Sequence, residues 1–223
     1  MRIGILSRKI GLGITALLIG GMMTGCATTQ PYDYSAFRQS KPQSILVLPP
    51  VNDSLDVNAP NSVLAQVTLP LAESGYYVFP VTVVERTFRE NGLTSPSDIH
   101  AVAPAKLLEI FGADAGLYLN IKKYGTTYAV ISSSTTVAAD AKLVDLRTGQ
   151  LLWEGSALAQ SDEGGSSGGG LVGLMVKAVV NQVIASVSDK GHTVAGVATQ
   201  RLLTAGQPNG MLYGQRSPYY QKN

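Results

Sequence analysis

A single cysteine, Cys26, stands in this 223-residue chain, directly behind a basic start and an apolar stretch. With one sulfhydryl the chain closes no internal disulfide, so whatever folds here depends on a buried apolar core. The segment before Cys26 has the order that export requires: Arg2, Arg8 and Lys9, then an apolar run over residues 10–23, then small residues. That run contains Gly11, Gly13, Gly20 and Gly21 and falls short of the roughly 20 apolar residues that cross about 30 Å of hydrocarbon. Residues 1–25 therefore read as a signal peptide.

Met23-Thr24-Gly25-Cys26 resembles the lipobox read by the lipoprotein signal peptidase. Small Thr24 and Gly25 give the peptidase access, Met23 stands where leucine is usual, and Cys26 supplies the sulfur that receives a diacylglycerol. A thioether-linked sulfur leaves no thiol to mispair in an oxidising compartment. The next residue is Ala27, not the aspartate that resemblance to enterobacterial lipoproteins would read as inner-membrane retention. The expected address is the outer membrane, facing the periplasm, with surface exposure left open. The three acyl chains implied by this resemblance bury CH₂ groups at about 0.8 kcal/mol each, enough for permanent anchoring.

Removal of the leader leaves about 198 residues, the size of one domain. An apolar fraction of 45% with 14% charged residues describes a globular protein with a lightly charged surface. The formal net charge of +2 becomes about −1 without Arg2, Arg8 and Lys9. Lys122, Lys123 and Lys142 come nearest to a basic cluster, so nucleic acid is not an expected partner.

Residues 26–43 are rich in Thr, Gln, Pro, Ser and Tyr and read as the lipidated cysteine with a flexible tether; the alternative is an arm docked through Tyr32, Tyr34 and Phe37. A globular domain is expected over 44–203. Ile45-Leu46-Val47-Leu48, ended by Pro49-Pro50, has the continuous apolar character of a strand covered on both faces. Asn58 caps a helix with Pro60 in its first turn; Val63, Leu64, Val67 and Leu71 continue it to Gly75, with Pro70 bending the last turn. Tyr76-Tyr77-Val78-Phe79-Pro80 makes a second strand, and a strand-helix-strand unit implies parallel pairing. Helices follow over 81–91 and 104–111, stopped by Gly92 and Gly112.

The period then changes to alternation. Strands over 115–124, 128–144 and 151–159, with turns at Gly125 and at Arg147-Thr148-Gly149-Gln150, predict an antiparallel meander. Ser132 to Thr136 in the middle strand suit a solvated or edge surface. A Gly/Ser-rich loop over 161–170 leads into an apolar helix over 171–187, whose broad apolar face calls for a sheet or second subunit as cover. Lys177, Asn181 and Gln182 argue against a membrane span there. Residues 192–203 are weakly helical, and 204–223 form an extended tail rich in Gly, Pro and Tyr. The expected fold class is a single α/β domain, a mixed sheet with an antiparallel meander and helices packed on it as an α/β sandwich.

Candidate chemistry is thin. Gly168-Gly169-Gly170-Leu171-Val172-Gly173 satisfies G-x-G-x-x-G, with Asp189 about 20 residues on. It follows a meander strand in a low-complexity loop instead of opening a β-α-β unit, so no dinucleotide or other cofactor is expected. His100 and His192 are the two histidines, and both read as surface residues with no second metal ligand nearby in sequence. No metal site and no catalytic residue is assigned. Asp53, Asp56, Glu73, Asp114 and Asp145 keep open a carboxylate-based hydrolase. Asp145 and Thr148 are expected to close the 145–150 turn by side-chain to backbone bonds, with Trp153 packed on the sheet.

The turn Val144-Asp145-Leu146, Gly149, Leu152-Trp153 is similar to one in periplasmic lipoproteins related to the curli-secretion channel subunit and in the amino-terminal domain of the Tol-system propeller protein. The lipobox, Ile45-Leu46-Val47-Leu48-Pro49-Pro50 with Asn52, Tyr76 to Val81, and Leu212-Tyr213-Gly214 with Pro218 together resemble a neisserial-type surface lipoprotein family of unknown function. The resemblance implies an α/β sandwich, dimerisation and a part in an envelope complex with curli-channel-like lipoproteins. The reading that follows is a non-catalytic assembly component tethered to the outer membrane. Its rivals are a periplasmic binding module for a lipid or peptidoglycan fragment, and the hydrolase.

Overall fold

A computed structural model describes residues 31–128, 133–163 and 190–222, of which those from Asp33 onward belong to one compact unit. The leader, Met23, Thr24, Gly25 and Cys26, the G-x-G-x-x-G match and the apolar segment over 171–187 lie outside the described residues.

The unit opens with a short helix α1 (Ser35–Ser40), then strands β1 (Ser44–Val47) and β2 (Val51–Asn52). Two short helices, α2 (Ala59–Leu64) and α3 (Thr68–Glu73), precede β3 (Tyr77–Val78). Helices α4 (Val81–Glu90), α5 (Pro96–His100) and α6 (Pro104–Phe111) follow. The meander β4 (Ala115–Tyr128), β5 (Ser133–Asp145) and β6 (Leu151–Gln160) is followed, among the described residues, by helix α7 (Lys190–Leu203) and a short 3-10 turn at Tyr220–Lys222.

The sheet runs β3-β1-β4-β5-β6, with β2 also pairing on β4. β1 is parallel to β3 and β4, while β4, β5 and β6 are antiparallel, so the sheet is mixed as the α/β pattern implies. Register puts Ile45 beside Ala115, Val47 beside Leu117, Leu117 beside Leu143 and Leu143 beside Trp153, one continuous apolar face across four strands. Helix α7 packs on β5 and β6 through buried Val194, Ala195, Ala198 and Leu202. Leu46 and Leu48 alternate to the opposite face and pack with Val84, Phe88, Ile99, Leu107 and Leu146 beneath α4, α5 and α6. Val84 and Phe88 are one helical turn apart, which is why α4 turns a single stripe inward.

Four local expectations change. The helix through Pro70 is two helices, because Pro70 sits in the first turn of α3, where its missing N–H has no partner to lose. Gly125 is inside β4 opposite Thr136, not in a turn: with φ +146 it continues the strand, which runs on to Tyr128. In β5 the exposed Ser133 and its neighbour Ser134 pair only with β4, as an edge implies, but Thr136 pairs with Gln160 of β6 and Thr135 is buried with its hydroxyl 2.8 Å from that of Thr126. The packed unit also reaches past both boundaries read from composition: Phe37 is 4% exposed within the stretch read as a tether, and Met211 is 1% exposed within the tail.

Candidate functional site

The carboxylates open to a hydrolytic role fall into separate structural assignments. Asp114 accepts the backbone N–H groups of Gln43 (3.0 Å) and Ser44 (3.1 Å), tying the start of β1 to the start of β4. Asp145, 2% exposed, accepts from the backbone of Arg147 (2.8 Å) and Thr148 (3.0 Å) and from the Ser40 hydroxyl. Burial alone would raise the Asp145 carboxyl, but the Ser40 hydroxyl, the two backbone donors and the Arg147 charge outweigh it and hold the group below the usual carboxylate range. Thr148 closes the same turn by accepting from Gln150 N–H (3.2 Å), and Trp153 is buried, its indole donating to the Asn209 carbonyl (3.0 Å).

Asp53 pairs with Lys122 at 2.8 Å, and Asp56 accepts from Asn58 N–H at 2.8 Å. These sit beside the middle of β4, where β2 pairs with Asn120 and Ile121, whereas Asp145 pairs with Ala115 at its start. Residues 115 and 121 are separated along one strand by roughly 20 Å, too far for the two groups to flank one scissile bond. Glu73 is exposed at the end of α3.

Both histidines are half-buried rather than on the open surface. His100 Nε2 lies 2.9 Å from the Pro49 carbonyl and its ring meets Tyr118 edge-on; burial holds the imidazole below its ordinary value. His192 bridges α7 and α2: its Nδ1 is 2.9 Å from Ser62 Oγ, and its Nε2 is 2.7 Å from Gln66 Nε2. The Tyr124 hydroxyl donates to Ser62 at 2.9 Å, so one polar chain joins β4, α2 and α7 under the sheet. Among the described residues no group of three or more His, Cys, Asp or Glu is arranged to hold a metal ion.

The concave feature that composition did not announce is a cleft of about 250 Å³ between α1 and the C-terminal tail. Phe37, Pro42, Tyr76 and Leu212 form its walls, with Arg38 and Lys41 among its lining residues. Long-range bonds hold the two sides together: Tyr34 donates its hydroxyl to the Gly210 carbonyl, Tyr76 to the Leu212 carbonyl (2.6 Å), and the Gln215 amide to the Lys41 carbonyl (3.1 Å). Burial raises the Tyr76 phenol far above its ordinary value, so it is a permanent donor. The tail approaches because Gly75 and Gly214 leave room: a Cβ on Gly75, which has φ +95, would collide with the Ser217 backbone. Of the docked-arm residues Tyr32, Tyr34 and Phe37, Phe37 lines one wall of this cleft; the opposite wall comes from the tail, expected to be extended.

Fold and site together define a single α/β module with a mixed sheet, whose N-terminal arm and C-terminal tail close on each other. Over residues 32–216 the chain matches the family described as "Putative lipoprotein GNA1162-like", and it belongs to that family. It is 48% identical over 207 residues to "Putative lipoprotein NMB1124/NMB1162" of Neisseria meningitidis serogroup B, covering 92% of this chain and 94% of the relative. The crystal structure of lipoprotein GNA1162 from Neisseria meningitidis shares 53% identity and superposes with a TM-score of 0.54 over 65% of this chain and all of that one. A PelC dodecamer structure from Paraburkholderia phytofirmans, at 14% identity, covers 82% of this chain and 96% of its own with a TM-score of 0.46. Neither the family description nor these names state a reaction. Among the described residues no helix is long and apolar enough to cross a membrane.

Proposed function

We propose that this chain is an envelope lipoprotein cut before Cys26, acylated on that sulfur and held at the outer membrane facing the periplasm, where it serves as a non-catalytic assembly component. The observation that carries the reading is 48% identity over nearly the full length to a protein named as a lipoprotein, joined to a lipobox at Met23-Thr24-Gly25-Cys26. The commitment of Asp53, Asp114 and Asp145 to ion pairs and turns favours it over hydrolysis. A second copy of the chain and curli-channel-like lipoproteins are the partners this reading carries.

Cys26→Ser tests the anchor. The variant is expected to lose the acyl mass of the mature protein and to leave the membrane fraction; processing and membrane retention without the sulfur would sink the reading. Crosslinking in intact envelopes, followed by mass identification, tests the assembly role, and a protein recovered solely as an uncrosslinked monomer would count against it. The cleft favours a second reading, a binding module for a small amphiphile, because it is lined by aromatic and charged side chains together.

A further inference from the structure

We propose that the cleft between α1 and the C-terminal tail takes the phosphate headgroup of an anionic lipid, with Lys41 and Arg38 as its cationic contacts. Among the described lining residues there are two cations and no carboxylate. Outside the lining, Asp33 accepts the N–H and hydroxyl of Ser35 and attracts Arg38, whose guanidinium stands 5.9 Å from the centre of the Tyr34 ring, and Asp145 is paired with Arg147 and bonded by Ser40, so Lys41 is the cation with no carboxylate partner among these acids. Arg216 and Lys222 lie over the rings of Tyr77 (5.8 Å) and Tyr219 (4.7 Å) and add positive charge along the tail. The walls combine apolar Phe37, Pro42 and Leu212 with tyrosine, an amphipathic residue suited to the junction of water and lipid. A volume of about 250 Å³ lies below the roughly 300–1,000 Å³ of larger ligand pockets and suits a headgroup with its first carbons, not a whole acyl chain.

Lys41 is also an unusual residue for its backbone. It ends α1 in the left-handed conformation, φ 49, a position that glycine or asparagine fills with less strain. A lysine there leaves its ammonium exposed beside the cleft while its carbonyl is fixed by Gln215. The choice of a lipid over a free anion rests on the acylated Cys26 proposed above. Asp33 stands seven residues after that anchor, and seven residues span at most about 25 Å, so the α1 end of the unit stays within that distance of the bilayer.

The test uses the mature chain in a non-ionic detergent, titrated calorimetrically with dihexanoyl phosphatidylglycerol, dihexanoyl phosphatidylcholine and inorganic phosphate. Phosphatidylglycerol is expected to bind, at least tenfold tighter than either of the others. Lys41→Gly keeps the left-handed backbone and removes the ammonium, so with a melting transition no lower than that of the wild type it reads the side chain and not a loss of fold; it and Arg38→Gln should each weaken phosphatidylglycerol at least tenfold. Lys122→Gln, midway along β4 and outside the cleft lining, should leave the affinity unaltered. Equal binding of phosphatidylcholine or of inorganic phosphate overturns the proposal, as does wild-type affinity in both cleft variants. Mass spectrometry of the same preparation reads the anchor separately. Acylated protein that ignores phosphatidylglycerol defeats the cleft, whereas phosphatidylglycerol binding by unacylated protein supports the cleft and defeats the anchor.

Discussion

Helix α4 and the C-terminal tail are both packed parts of the unit, and they bury themselves by different physics. Helix α4 repeats an apolar residue at one-turn spacing, Val84 and Phe88, and sends Glu85, Arg86, Arg89 and Glu90 outward, where they pair at 2.6 and 2.7 Å. The tail has no period. It is held by single closures: Met211 buried, Gly214 N–H to the Ser74 carbonyl (2.8 Å), Tyr76 to Leu212, and Trp153 to Asn209. An amphipathic stripe distributes its stabilisation along a helix, whereas the tail concentrates it at a few contacts that must all be met at once.

That difference is sharpest in substitutions. Phe88→Ala removes a side chain that is 2% exposed and packs on Phe111, and should cost about 4 kcal/mol, read as a lower denaturation midpoint at constant slope. Gly75→Ala adds a Cβ against the Ser217 backbone at a positive φ and should cost about 3 kcal/mol. In hydrogen exchange it should expose amides of the tail and α1 while those of α4 keep their protection; equal loss in α4 would erase the contrast.

Asp145→Ala strips a buried acceptor from Ser40, Arg147 and Thr148 and should cost about 2 kcal/mol at neutral pH. Because the folded carboxyl sits below its unfolded value of about 3.9, its contribution is complete above that pH and fades as pH falls through the folded value. The gap between wild type and variant should therefore narrow below about pH 4, and a gap that stayed constant to pH 2 would remove the carboxylate from this role. Arg86→Ala should change stability by less than about 0.5 kcal/mol, since its ion pair with Glu90 is mostly solvated. A larger loss would mean the outer face of α4 matters as the tail contacts do.

Legibility followed the same division. The run from Ile45 to Leu48, the helix at α4, the stops at Gly92 and Gly112, and the Asp145 turn were all readable, because each is decided by neighbours a few residues apart. Gly125 misled because a glycine marks a turn or a strand irregularity equally well, and pairing with Thr136 decides which. The Ser/Thr stretch of β5 splits: Ser133 stays exposed as its composition implies, whereas pairing of Thr136 with β6 carries the end of the stretch into the sheet. Half of the cleft was hinted at by aromatic residues in a polar arm; the half made by Leu212 and Gln215 had no local signal, since its partners lie more than 130 residues away.

What residue order alone determined is the place of the one cysteine behind a basic and apolar start, the α/β alternation and the helical segments, all consequences of short-range periodicity and of side-chain chemistry read in place. Only tertiary packing decided that arm and tail belong to the folded unit, that the acidic groups part into separate tasks, and that two cations meet a set of tyrosines at one cleft. The reason is that such contacts join segments whose own composition favours no structure, and they become stable only once the sheet has brought both ends to the same place.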